Sequence, residues 1–240
     1  MSTLIDPPIC IALDVSSLDE AKRLLDALAG RVSVFKVGLE LFTAAGPQAV
    51  REVTSRNCDV FLDLKIHDIP NTAARAVRAA ERLGARFLTI HGSGGREMVR
   101  AAIEGTTEGR PELLVVSVVT SLDEDALREV GVTRSIAEQV DAMAALASEE
   151  QAPGLVLAAS EVARVRAAHP GLFLLVPGIR PAGSDAGDQK RVGTPGDVVV
   201  AGADLIVLGR SVTQAAHPAA ATDRILDEIQ SARDGVSTSA

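Results

Sequence analysis

The chain has 240 residues, 47% hydrophobic and 23% charged, which is enough apolar material for a large core and too much for a disordered chain. Its 24 Lys and Arg stand against 32 Asp and Glu, a net charge of -8, which argues against nucleic acid or an anionic membrane as the main partner. The aromatics are five Phe, with no Trp or Tyr, so base-stacking platforms are not expected.

The stretch Met1 to Pro8 has no basic region and carries Asp6-Pro7-Pro8, so no signal peptide is expected. The first apolar run of strand length is ICIALDV (9–15). A helix follows over 18–29, with Leu18, Ala21, Leu24, Leu25 and Leu28 on one face. Ser17 and Glu20 read as its capping box and Gly30 as its stop. Next come SVFKVG (33–38), Pro47 as a first helical turn, and DVFLDLK (59–65). RFLTIHG (86–92) and LLVVSVV (113–119) follow, with Gly84 and Gly105 near helix ends. A second clear helix spans 135–148, where Ile136, Val140, Met143 and Ala147 keep the helical period. The last runs are GLVLAA (154–159), LFLLVPG (172–178) and DLIVLGR (204–210), with Pro195 and Pro218 opening helices and Gly202 closing one. The final helix is expected over roughly 218–232, carrying Ile225, Leu226 and Ile229, with a frayed tail at 234–240. No apolar run approaches the roughly 18 residues of a membrane span. Cys10 and Cys58 fit no metal or redox spacing and read as small core residues in a reducing compartment, so a cytoplasmic location is expected.

Eight short, near-continuous apolar runs alternate with helical segments. Such runs are the mark of parallel strands buried on both faces. Eight units in this length predict a single α/β domain over 1–240, a (β/α)8 barrel. A doubly wound open sheet is the alternative, but the first loop lacks GxGxxG.

In a barrel the chemistry sits at the C-terminal strand ends. There the sequence places Asp14, Lys36, Asp63 with Lys65, His91, Thr120, Arg180 and Arg210. Charges in apolar strands are costly unless paired, so their gathering at one end points to a site. The densest segment is Asp63-Leu64-Lys65-Ile66-His67-Asp68-Ile69-Pro70-Asn71-Thr72. Asp63 and Lys65 are two apart and point to one side of a strand. His67 reads as structural, and His91 as packing or as a support behind the site residues. Gly209-Arg210-Ser211, with the polar loop 179–193 that carries Arg180 and Gln189, suits phosphate. No HExxH, CxxC or paired acidic triad suggests a metal site.

These residues resemble a known family. DLKIHDIPNT (63–72) matches the DxKxxD(I)PxT signature of the orotidine 5'-monophosphate decarboxylases, bacterial form. IALD (11–14), KVG (36–38), VTS (119–121), VPGIRP (176–181), GSDAGDQKR (183–191) and LGRSVTQ (208–214) look like that family's remaining motifs, in its order. The resemblance implies a barrel enzyme that converts orotidine 5'-phosphate to uridine 5'-phosphate and CO2 in pyrimidine biosynthesis, without a cofactor. It makes Lys36, Asp63, Lys65 and Asp68 the catalytic array, with Lys65 the proton donor. It assigns Asp14 and Lys36 to the ribose, Thr120 to the pyrimidine, and Arg180, Gln189, Gly209 and Arg210 to the phosphate. Ile69 is also carried over as substrate-binding. Asp68 and Thr72 are implied to reach a second subunit's site in a homodimer. Ser211 and Val176 depart from the Pro and Thr common at their positions. The alternative is a Mg-dependent relative of the 3-keto-gulonate-6-phosphate decarboxylase and hexulose-phosphate synthase type, which shares DxKxxD. A binding protein that kept the fold and lost the reaction is a further rival, against which Lys65 and the aspartates argue.

Overall fold

The structure, a computed structural model, describes residues 5–181 and 193–237. Eight parallel strands close in chain order: β1 (Ile9–Ala12), β2 (Val34–Gly38), β3 (Asp59–Ile66), β4 (Phe87–His91), β5 (Glu112–Val116), β6 (Gly154–Val156), β7 (Phe173–Val176) and β8 (Leu205–Leu208). Ile9 pairs with Ile206 and Ile11 with Leu208, so the sheet is a barrel and not an open one. Among the described residues the helices are α1 (Leu18–Ala27), α2 (Leu39–Ala45), α3 (Pro47–Thr54), α4 (Pro70–Arg82), α5 (Gly95–Glu104), α6 (Glu124–Glu129), α7 (Ile136–Glu149), α8 (Val162–Ala168), α9 (Pro195–Val200), α10 (Arg210–Thr213) and α11 (Pro218–Ser237).

Strand residues alternate between two buried environments. Ile9, Ile11, Phe35, Val37, Val60 and Leu62 join the core between strands and helices. Cys10, Ala12, Val34, Phe61, Phe87, Leu114, Phe173 and Leu205 form a second cluster inside the barrel. That double burial is why the strands read as continuous apolar runs. Phe87 and Phe173 stack in the interior with centroids 5.3 Å apart, and the Arg86 guanidinium lies 4.9 Å from the Phe87 ring. Gly154 makes room beside them, since a Cβ there would come within 2.4 Å of the Phe173 carbonyl oxygen.

Local signals held with two differences. Pro47, Pro195 and Pro218 each open a helix, and Gly30 takes φ +76 after α1. The Ser17 hydroxyl accepts from the Glu20 N–H at 3.3 Å, but the Glu20 carboxylate turns to the N–H and hydroxyl of Ser16, so the box is only half made. The complete box lies at α7, between Ser135 and Glu138. The last helix also runs on through Ser237, into the segment expected to fray. Gln230 donates to Asp234 at 2.8 Å across one turn there. Cys10 is buried, Cys58 is half-buried, and both are free thiols. No helix among the described residues is long and apolar enough to cross a membrane.

Candidate active site

A cavity of about 600 Å³ opens at the C-terminal strand ends, within the range of small-molecule sites. Its lower wall is apolar, with Ala12, Phe61, Val116, Val156, Leu175 and Val207. Its upper rim is charged and polar, with Asp14, Lys36, Asp63, Lys65, Thr120, Arg180, Gly209 and Arg210. Every one of these eight was singled out from the sequence.

At the rim the charges alternate. Lys36 Nζ lies 2.6 Å from Asp14 Oδ1 and 3.7 Å from Asp63 Oδ2. Lys65 Nζ lies 2.9 and 2.8 Å from the two oxygens of Asp63. Asp63 is thus held between two ammoniums. Lys36 is only 8% exposed, and burial alone would lower its pKa, but Asp14 and Asp63 outweigh burial and hold it above the usual lysine value. Asp63 shows the converse. Burial would raise its pKa, yet Lys36, Lys65 and the hydrogen bonds from Lys65 and Thr89 keep it below the usual carboxylate range. Both groups are therefore charged near neutral pH.

The backbone that presents Lys65 is irregular. Leu62 pairs with Leu88, but the next pairing is Ile66 with Ile90, so β3 carries three residues opposite Thr89 alone. Lys65 adopts φ +46, in the left-handed region that costs a non-glycine residue about 1–3 kcal/mol. Its N–H leaves the ladder and donates to the Thr89 hydroxyl at 2.9 Å. That hydroxyl donates in turn to Asp63 Oδ1 at 2.9 Å. Asp63 and Lys65 do meet on one side, as their spacing predicts, but across a bulge and not along a regular pleat.

The other predicted residues lie elsewhere. Asp68 is exposed and its carboxylate accepts from the Ile69 N–H at 2.6 Å. Ile69 is 66% exposed at the start of α4, with Thr72 exposed in its first turn. None of these three lines this chain's cavity. Gln189 lies outside the described residues. His67 and His91 stack on one another at 5.2 Å and stay out of the cavity, with His91 Nδ1 2.6 Å from the Ser93 hydroxyl. Burial, then His67 and Lys65, lowers the His91 pKa below its ordinary 6.5. Sequence reasoning missed Glu40, Thr213 and Gln214 on the rim, and Thr89 beneath it. The signal for Thr89 was a single hydroxyl inside the apolar run RFLTIHG.

Fold and site together define a (β/α)8-barrel enzyme with paired charges gathered at the barrel mouth. Comparison with known proteins narrows this. Residues 7–225 match the model of the orotidine 5'-phosphate decarboxylase / HUMPS family. The chain is 46% identical over 231 residues to an orotidine 5'-phosphate decarboxylase of Moorella thermoacetica, covering 92% of each. It is 50% identical over 218 residues to that of Anaeromyxobacter dehalogenans strain 2CP-1, covering 90% of this chain and 96% of the other. The crystal structure of the Lactobacillus acidophilus orotidine 5'-phosphate decarboxylase superposes with a TM-score of 0.82 at 34% identity, over 92% of this chain and 98% of that one. The chain belongs to the orotidine 5'-phosphate decarboxylase / HUMPS family.

Proposed function

We propose that this chain is a carboxy-lyase that removes CO2 from C6 of orotidine 5'-phosphate to give uridine 5'-phosphate, the last step of de novo UMP synthesis, with Lys65 as proton donor. The observation that carries the residue assignment is the Lys65 ammonium held by both oxygens of Asp63 at the cavity rim. The matching relatives are named for the decarboxylase, which favours this reaction over the sugar-phosphate chemistry of the wider superfamily.

The difficulty of the reaction is the carbanion left when the C6–carboxylate bond breaks. Its electron pair lies in the ring plane and cannot spread into the carbonyls. A fixed ammonium beside C6 stabilises that pair and then delivers a proton to it, and the amine recovers a proton from solvent. Two unit charges about 4 Å apart at an effective dielectric near 20 interact by about 4 kcal/mol. That is about three decades of rate, so Lys65 is one contributor among several.

Asp63 keeps Lys65 aimed through both carboxylate oxygens. Asp14 and Lys36, already paired, are suited to the ribose hydroxyls, and Thr120 to the pyrimidine edge. Arg180, Gly209 and Arg210 would hold the phosphate with Gln189. A Cβ at Gly209 would meet no protein atom, which leaves open space for a phosphate to approach the backbone. Grip on this remote group can be used to exclude water and orient the ring. Asp68, Ile69 and Thr72 stand exposed outside the cavity, a placement that suits residues serving a second copy of the chain in a homodimer. Two free cysteines fit a reducing cytoplasm.

The test is a spectrophotometric assay with orotidine 5'-phosphate, with and without EDTA, beside Lys65→Ala. Turnover that EDTA leaves intact and that falls by at least about three decades in the variant is expected. Absence of turnover by folded wild type, or full activity in Lys65→Ala, would overturn the reading.

A further inference from the structure

We propose that Thr89 is a positioning residue for Lys65, its hydroxyl replacing a rung of the β3–β4 ladder and fixing the bulge from which the ammonium reaches the reacting carbon. This rests on the decarboxylase reading. A threonine hydroxyl has one proton to give and lone pairs to accept with. Here the proton goes to Asp63 Oδ1 and a lone pair takes the Lys65 N–H, both at 2.9 Å. Thr89 is fully buried, so water cannot take over either partner.

The topology makes the hydroxyl hard to replace. Thr89 is the β4 residue between Leu88 and Ile90, which pair with Leu62 and Ile66. On its other side it pairs with Leu114 of β5. Its backbone is thus committed to the sheet, and only its side chain faces the three-residue excursion of β3. Without the hydroxyl, the left-handed Lys65 loses the one hydrogen bond that ties its N–H to β4, and Asp63 loses its only hydroxyl donor in this network. The groups around Asp63 would then be Lys36 from β2 and Lys65 from β3, with no neutral donor from β4 to set the carboxylate's orientation. Thr89 touches no reacting atom in this scheme. It acts through Asp63 and Lys65.

The experiment compares kcat, KM and the pH profile of orotidine 5'-phosphate turnover in wild type, Thr89→Val and Thr89→Ser, with circular dichroism and Tm to verify folding. Thr89→Val keeps the shape and removes the hydroxyl. Its kcat should fall about ten- to a hundredfold with KM within about threefold, because substrate-binding groups are untouched. The acid limb of its profile should move to higher pH, since Asp63 loses a hydrogen bond that favours its charged form. Thr89→Ser, which keeps the hydroxyl, should stay within about threefold of wild type in kcat with an unmoved acid limb. Thr89→Ala serves the same comparison if the barrel refuses valine. The proposal is overturned if a folded variant lacking the hydroxyl keeps wild-type kcat and acid limb, or if Thr89→Ser falls as far as Thr89→Val. A wild-type chain without turnover would instead defeat the decarboxylase reading, and this role with it.

Discussion

Gly38 brings no functional group to the site, yet the Lys36–Asp14 pair depends on what it lacks. A Cβ at this position would lie 2.6 Å from Lys36 Nζ and 2.8 Å from Asp14 Oδ1. The end of a lysine is usually free to move aside, but this one is pinned by Asp14 and Asp63 in a buried setting. Gly38→Ala should therefore push the ammonium out of register while leaving the fold intact, as the backbone at Gly38 is ordinary extended strand entering α2. A misplaced binding group of this kind costs about ten- to a hundredfold in kcat/KM. Steady-state kinetics on a variant whose circular dichroism matches wild type would check it. Gly38 was visible in the sequence as part of KVG, but its reason was not, because Asp14 approaches from the loop after β1. The charged residues were legible for the opposite reason. A Lys or Asp inside an apolar strand stands out at once, and closing the barrel then brings the strand ends together. Thr89 stayed hidden because one hydroxyl in a strand needs no explanation until the bulge opposite it is known. No local cue announced the bulge either, since Lys65 takes its left-handed φ without a glycine.

At the scale of elements, the runs named every strand, but every strand except β3, which runs one residue further, is shorter than or shifted from its run. Leu13, Leu157 and Ala158 follow their strands and remain buried, so hydrophobicity outlasts the ladder where connections tuck under helices. A connection of the other kind, from α8 into β7, is welded by a single arginine. From α8, Arg166 donates to the carbonyl oxygens of Pro170 at 2.9 Å, Leu172 at 2.8 Å and Gly202 at 2.9 Å, and it pairs with the Asp204 carboxylate. Asp204 also accepts from the Leu174 N–H at 2.7 Å. One guanidinium therefore ties α8 to the entries of β7 and β8, at the end of the barrel opposite the cavity. Gly202, at φ +108, makes room for it, because a Cβ there would sit 2.9 Å from Arg166 Cγ. Arg166→Met keeps the aliphatic stem and leaves several acceptors short of a donor. A loss of about 2–3 kcal/mol is expected. For a chain of this size that lowers Tm by roughly 4–12 °C. Because the catalytic end is untouched, kcat should hold at wild-type level. Thermal unfolding and a turnover assay on one sample separate the two effects, and a parallel fall in kcat would show that the latch also shapes the cavity.

The whole molecule poses a question that one chain leaves open. Its net charge is -8, yet its cavity rim sets Lys36, Lys65, Arg180 and Arg210 against Asp14, Glu40 and Asp63, a local balance that leans positive where the chain as a whole is acidic. Asp68, which the family resemblance places in the catalytic array of a second subunit's site, does not line this chain's cavity, and the apolar side chains of Ile69 and Leu39 are 66% and 56% exposed nearby in sequence to the two lysine-bearing strands. A two-fold pairing that buries such residues and delivers Asp68 across the interface reconciles both facts. It makes a prediction that a self-contained site does not. Lys65→Ala and Asp68→Ala should each be inactive alone. In a mixed dimer one site then receives both lesions and the other receives neither. Random reassortment of equal amounts should restore about a quarter of wild-type activity, with KM unchanged in the restored sites. If Asp68 instead serves the Lys65 of its own chain, every site in every mixture keeps one lesion, and mixing restores nothing. An affinity tag on one variant that carries the untagged variant with it through purification, run beside the assay, establishes that subunits have exchanged, so a flat result in exchanged dimers would assign Asp68 to its own chain.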